Sequence, residues 1–177
     1  MAVELAINSK CQRVEVCNAL ETLLVDEKVA EAALPQLVAA FEARQVELRG
    51  CPLVLKMIPH LKAATEEDWS TEYLAPVLSV KIVKDIQKAI EHINLYGSGH
   101  TDVIITSGIA TAQQFVQGVD SASVLVNAST RLSGGGDYGM GAVVGISTDK
   151  MHARGPVSPS ELTSYKWVGY GHGHVRD

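Results

Sequence analysis

A surplus of positive charge is missing from this sequence: its 177 residues hold 15 Lys and Arg against 20 Asp and Glu, a formal net charge of −5. Proteins that grip nucleic acid concentrate Lys and Arg on one face, and no such stretch occurs, so no nucleic-acid partner is expected. Cysteine is scarce too. Cys11, Cys17 and Cys51 are the three present; an odd number cannot all pair, and none stands in Cys-x-x-Cys spacing. A reducing cytoplasm suits them best. No run approaches the ~18 apolar residues that cross a bilayer, and Met1–Leu5 lacks the basic and then apolar pattern of a secretory leader, so no membrane association is expected. There is no internal repeat and no low-complexity tract. What remains is a chain of single-domain size, 46% hydrophobic and 20% charged, able to bury about two thirds of its unfolded surface without staples.

The pattern of apolar residues gives the organisation. Met1 to Arg13 reads as the later part of a helix. Thr22–Val25 reads as a buried strand, with Asp26 as a candidate N-cap. Leu34, Leu37, Val38 and Phe41 recur at i, i+3, i+4 and i+7, the stripe of an amphipathic helix, and Pro35 within it predicts a break or a new first turn. Val46–Leu48 is a candidate strand and Pro52–Pro59 a short helix. From Leu78 two crossover units follow: strand Leu78–Val83, helix Asp85–Leu95, strand Asp102–Thr106, helix Ile109–Gly118, strand Ser123–Asn127. This alternation predicts an α/β fold with a parallel sheet and right-handed crossovers. Residues 132–141 are too rich in glycine for regular structure, and Tyr165–Tyr170 alternates like a final strand.

Cys17 lies on the short connection between the first helix and the first strand, a position from which a thiol can face a cleft beyond a sheet edge. The residues alone leave open whether it is a nucleophile or a small buried hydrophobe. Asn127, Ser129, Thr130 and Arg131 follow the last crossover strand, where ligands gather in open parallel sheets. They combine neutral donors with one guanidinium, which pairs bidentately with carboxylate or phosphate. His152, His172 and His174 lack carboxylate or thiol companions, so no metal is expected. Gly134-Gly135-Gly136 lacks the lysine of a phosphate-binding loop.

Val16-Cys17-Asn18-Ala19-Leu20-Glu21-Thr22-Leu23-Leu24-Val25 resembles the active-site segment of the γ-glutamyl phosphate reductases, members of the aldehyde dehydrogenase superfamily that work in proline biosynthesis. Later blocks agree in order: His100–Thr106, Val119–Ala122, Asn127-Ala128-Ser129-Thr130-Arg131, Gly145–Thr148 and His152-Ala153-Arg154-Gly155-Pro156. The resemblance implies a three-layer parallel-sheet catalytic domain over residues 1–160. Residues 161–177 would supply a C-terminal strand for oligomerisation, making a homo-oligomer. It also implies a nucleotide-binding half preceding Met1, so that this portion alone would not turn over.

The activity implied is NADPH-dependent reduction of L-glutamyl 5-phosphate to L-glutamate 5-semialdehyde, with NADP(H) as cofactor and a glutamate kinase as a further partner. By the same resemblance Cys17 is the nucleophile. Glu72, in Glu72-Tyr73-Leu74-Ala75-Pro76-Val77, holds the nicotinamide ribose; Asn127, Ser129, Thr130, Arg131 and Arg154 bind substrate. Val14, Gly134, Val143 and His172 depart from the family pattern, which has proline, aspartate, glutamate and aspartate there. The alternative reading is a non-catalytic remnant that serves as an oligomerisation or binding module.

Overall fold

Asp26 ends one element and starts the next. In the computed structural model, which describes residues 1–177, it closes strand β1 (Thr22–Asp26) and accepts the Lys28 amide at 2.8 Å. It thereby caps helix α2 (Glu27–Glu42) as expected for an Asp N-cap. Ala30, Leu34, Leu37, Val38 and Phe41 form the buried stripe of that helix. Helix α1 (Ala2–Cys11) precedes β1, and strand β2 (Glu47–Gly50) and helix α3 (Pro52–Met57) follow α2. Pro52 stands in the first turn of α3, where its missing N–H has no helical partner to lose.

The break predicted at Pro35 does not occur: α2 runs unbroken through it. Pro35 and Glu31, whose carbonyl loses its usual donor, both lie on the exposed face, so water can satisfy the freed oxygen while the buried stripe holds the helix on the sheet. Pro35→Ala should therefore stabilise the protein by about 1–3 kcal/mol, the usual cost of an interior proline. A urea melt checks this; an unchanged or lower midpoint would show that the ring fits the helix without cost.

Strand β4 (Val77–Val83) is the spine of the main sheet, whose order is β1-β4-β2-β3, all parallel, with β3 (Lys62–Ala63) at the edge. Leu78, Ser79, Val80, Ile82 and Val83 are buried, the near-continuous burial of a strand covered on both faces. Leu78, Val80 and Ile82 join the α2 stripe, Leu48, Val54 and Trp69 in one core of 16 buried residues. Asp85 accepts the Lys88 amide and caps α4 (Ile86–Tyr96). Next come β5 (Thr101–Ile104), α5 (Ile109–Gly118) and β6 (Ser123–Val126), with β5 and β6 parallel.

Three differences from the sequence reading have physical causes. The crossover strands do not extend the main sheet: β5 and β6 form a separate two-stranded sheet, so β1 and β5 each leave one edge unpaired. β5 stops at Ile104 and β6 at Val126, short of the predicted Thr106 and Asn127. Asn127 turns left-handed (φ 54°) and its side-chain amide takes both backbone groups of Thr106, accepting at 2.9 Å and donating at 2.8 Å. Finally, Tyr165–Tyr170 forms no strand. A strand needs a neighbour's edge, none in this chain lies beside it, and Trp167 and Tyr170 stand more than nine-tenths exposed. A short antiparallel pair that the sequence did not announce, β7 (Gly145–Ser147) with β8 (Gly155–Val157), lies beyond the glycine-rich segment. There Val143 packs so tightly on Gly135 that a Cβ would lie 2.2 Å from its methyl carbon.

Candidate active site

Between α1 and β1 the chain winds back through turns, with Ala19 N–H donating to the Val16 carbonyl at 2.9 Å and Leu20 N–H to the Ser9 carbonyl at 3.0 Å. This arrangement leaves Cys17 exposed, whereas Cys51 is buried at the start of α3 and Cys11 is half-buried. Burial raises the Cys11 pKa above that of an ordinary thiol. Cys17 is thus the one thiol presented to solvent.

Beneath the turn lies a charge with no access to water. Lys10 is fully buried and donates to Glu21 Oε2 at 2.6 Å, with its ammonium 6.0 Å from the centre of the Tyr73 ring. Glu21 Oε1 accepts the Leu74 amide at 3.3 Å. Burial raises the Glu21 pKa, although Lys10 opposes the shift. Leu74 is left-handed (φ 50°), and its neighbour Tyr73 donates to Asp68 at 2.7 Å. Glu72, just before these two anchored residues, is exposed with its carboxylate unengaged.

The residues after β6 are held by α1. Ser9 Oγ lies 3.2 Å from Ser129 Oγ and accepts the Thr130 amide at 3.1 Å, while Ser129 Oγ accepts the Arg131 amide and starts a single 3₁₀ turn. Arg131 Nε donates to Gln12 Oε1 at 2.8 Å and its Nη1 to Asn18 Oδ1. Asn18 Nδ2 in turn donates to the Ser133 carbonyl at 2.9 Å. The fold therefore brings the Cys17 turn and the Ser129–Arg131 turn together over more than a hundred residues of sequence.

Cys17, Asn18, Glu72, Ala128 and Thr130 line one cleft of about 770 Å³, which also runs along the whole of β1 and β5. Thr130 Oγ1 is buried there without a partner. Two of the expected site residues stand differently. The Asn127 amide is spent on Thr106, and Arg154 turns to Asp120, donating to its carboxylate at 2.9 Å and its carbonyl at 3.0 Å. Sequence reasoning missed Ser9, Gln12, Asn18 and the Lys10–Glu21 pair. Their only signal was position: Ser9, Lys10 and Gln12 lie at the end of one helix, and Asn18 lies beside the cysteine.

Two imidazoles face the same cleft, His92 and His100, each with Nε2 buried and unpartnered. Burial, with Lys81 beside it at 3.1 Å, lowers the His92 pKa to about 4, and burial lowers that of His100. Both are neutral when folded, whereas the unfolded chain takes up their protons near pH 6.5. The stability they contribute is present above pH 6.5 and is lost as pH falls through each lowered folded value, about 4 for His92. The raised carboxyls of Glu21 and Asp102 act in the opposite sense. Comparing urea midpoints at pH 7.5 and 5 in wild type and His92→Gln should show a smaller loss on acidification in the variant; equal losses would locate the pH dependence elsewhere.

The main sheet is open and parallel, its edge strand β1 follows the exposed thiol, and one cleft runs along β1 and β5, the layout of an α/β fold with a site beside its sheet. The profile of the aldehyde dehydrogenase family matches residues 51–141, and the chain belongs to that family. Within it, a curated γ-glutamyl phosphate reductase from Nautilia profundicola is 54% identical over 176 residues, covering 99% of this chain and 43% of the relative. The crystal structure of γ-glutamyl phosphate reductase from Thermotoga maritima superimposes with a TM-score of 0.95 at 48% identity, over 99% of this chain and 42% of that one. The yeast enzyme from Saccharomyces cerevisiae matches at a TM-score of 0.55 and 30% identity, over 75% and 33%. An acetylating aldehyde dehydrogenase from Geobacillus thermoglucosidasius shares the fold at 19% identity, with a TM-score of 0.68 over 99% and 48%. The chain thus spans less than half the length of these relatives. No helix in it is long and apolar enough to cross a membrane.

Proposed function

We propose that the chain is the thiol-bearing catalytic part of a γ-glutamyl phosphate reductase of proline biosynthesis. The observation that carries this reading is the placement of its one exposed thiol, Cys17, in the same cleft as Glu72 and beside the arginine-bearing turn. Its similarity to reductases over nearly its whole length supports it. The Cys17 thiolate attacks the acyl carbon of L-glutamyl 5-phosphate; the C–S bond forms, the C–O bond to phosphate breaks, and inorganic phosphate leaves. Glu72 is exposed in the cleft and unengaged, the acceptor two ribose hydroxyls need. NADPH, if held there by Glu72, would supply the hydride that takes the thioester to L-glutamate 5-semialdehyde. Cys17 Sγ is the leaving group of that collapse and returns as the thiolate. Arg131, with Ser129 and Thr130, binds an anionic end of the substrate, and Arg154 joins them if substrate draws it from Asp120. The working enzyme is a cytoplasmic homo-oligomer that joins subunits through Tyr165–Tyr170 and receives its labile acyl phosphate from a glutamate kinase.

Acylation needs no cofactor, so it tests the reading on these 177 residues. Incubation with acetyl phosphate, a small acyl phosphate, should add one acetyl group to wild type, mapped to Cys17 by mass spectrometry and removed by hydroxylamine. Cys17→Ser should carry none. Acetylation confined to lysines, or equal in both proteins, would favour the non-catalytic module.

A further inference from the structure

Arg131 is held by two side chains, and neither is an acid. Gln12 Oε1 accepts from Nε and Asn18 Oδ1 from Nη1, and Arg131 takes part in no ion pair, unlike Arg49 and Arg154. A carboxylate in either place would fix the guanidinium equally well but would cancel its charge. Two neutral amides fix it and leave the charge whole, and Nη2 remains without a protein acceptor. The half-buried side chain therefore keeps both a direction and an uncompensated charge, the combination that recognises an anion.

Asn18 is the more constrained of the two holders. It is only 9% exposed, whereas Gln12 is exposed. Its amide has one possible orientation: Nδ2 must donate to the Ser133 carbonyl at 2.9 Å, which turns Oδ1 toward Arg131. It also adjoins Cys17 in the chain, so one turn presents the thiol and aims the cation.

We infer that Asn18 is a positioning residue, holding Arg131 as an oriented, un-neutralised cation against the turn that carries Cys17 to receive the anionic group of the substrate. This inference rests on the reading of Cys17 and Arg131 given above. It adds a specificity device: the site favours negatively charged acyl donors over neutral ones, and does so through an asparagine that touches neither.

The test compares the rates at which Cys17 of the 177-residue chain is alkylated by iodoacetate, an anion, and by iodoacetamide, its neutral counterpart, at low salt, with the Cys17 peptide followed by mass spectrometry. A cation near the thiol raises the first rate relative to the second, by roughly threefold for a solvent-screened charge. Arg131→Ala should abolish that preference. Asn18→Ala keeps the same formal charge, yet should abolish most of it, and Asn18→Ala with Arg131→Ala should lose no more than Arg131→Ala alone. Asn18→Gln, which keeps the amide, should recover part. A purely structural role for Asn18 would move both reagents' rates together and leave their ratio at the wild-type value, which overturns the inference; so does an unchanged ratio in Arg131→Ala. Because alkylation requires neither acyl phosphate nor nicotinamide, a failure here is separable from a failure of Cys17 to be acetylated.

Discussion

Cys17→Ser is expected to lower semialdehyde- and phosphate-dependent reduction of NADP by at least about 10³-fold in a protein extended to the length of the relatives. A hydroxyl is far less acidic than a thiol and needs an adjacent base to become a nucleophile. The hydrogen bonds that shape the Cys17 turn come from backbone groups and the Asn18 amide, and none brings a base to its side chain. A serine ester would also be a poorer leaving group than a thioester when the aldehyde departs. Since Cys17 is exposed, the substitution removes no core packing, and the melting temperature should stay within about a degree or two of wild type. Absorbance of NADPH gives the rate and circular dichroism the melt. A serine variant that keeps more than about a tenth of the rate would move the nucleophile away from Cys17. The 177-residue chain is expected to be silent in the same assay, while still accepting an acetyl group at its thiol.

Much of this architecture was legible because its causes are local. The α2 stripe, the Asp26 cap and the span of α5 follow from periodicity and capping chemistry, which act within a turn or two. The errors arise where the deciding partner is distant. Nothing near Pro35 says that its face will be wet, and nothing near Val126 says that Asn127 will turn back to clamp Thr106. The split between the two parallel sheets depends on which edges find neighbours, a property of the assembled fold. The site divides in the same way. Cys17, Glu72 and the Ser129–Arg131 turn could be picked out by their resemblance to a family, but the residues that hold them do not react and so carry no signal of their own. Asn18 and Ser9 become visible only when the chain closes over more than a hundred residues to put them against Arg131 and Ser129.

The largest effect on stability is expected at a residue with no part in the chemistry. Asp68 is 4% exposed and accepts four hydrogen bonds: from Arg49 Nη1 at 2.6 Å, Thr65 N at 2.7 Å, Thr65 Oγ1 at 2.9 Å and Tyr73 OH at 2.7 Å. Burial alone would raise its pKa, but these donors outweigh burial and hold the carboxyl well below the usual range. Burial and the bond to Asp68 together push the Tyr73 hydroxyl up to about 12. Asp68→Ala removes four hydrogen bonds at once, leaving the Thr65 amide without its acceptor while Arg49 keeps Glu47 and Tyr73 keeps Ser79, and should cost about 3–5 kcal/mol, since bonds to a charged acceptor are worth more than neutral ones. That is a large share of the stability of a domain this size. Asp68→Asn should cost less, since its oxygen still accepts while its NH₂ meets the Thr65 donors. Tyr73→Phe, which removes the hydroxyl's bonds to Asp68 and Ser79, should cost about 1–2 kcal/mol. Urea melts rank the three, and an Asp68→Ala variant within about 1 kcal/mol of wild type would show that the carboxylate is not the hub. Acid offers a second check. The Asp68 contribution is present above the unfolded carboxyl pKa of about 3.9 and is lost below it, so the alanine variant should lose less stability than wild type between about pH 4 and 2. Because Asp68 anchors Tyr73, the residue directly after Glu72, loosening this hub should also weaken the proposed nicotinamide binding in a protein extended to the length of the relatives, raising the KM for NADP before it lowers kcat. A fall in kcat alone would mean that the Glu72 loop keeps its shape without Asp68.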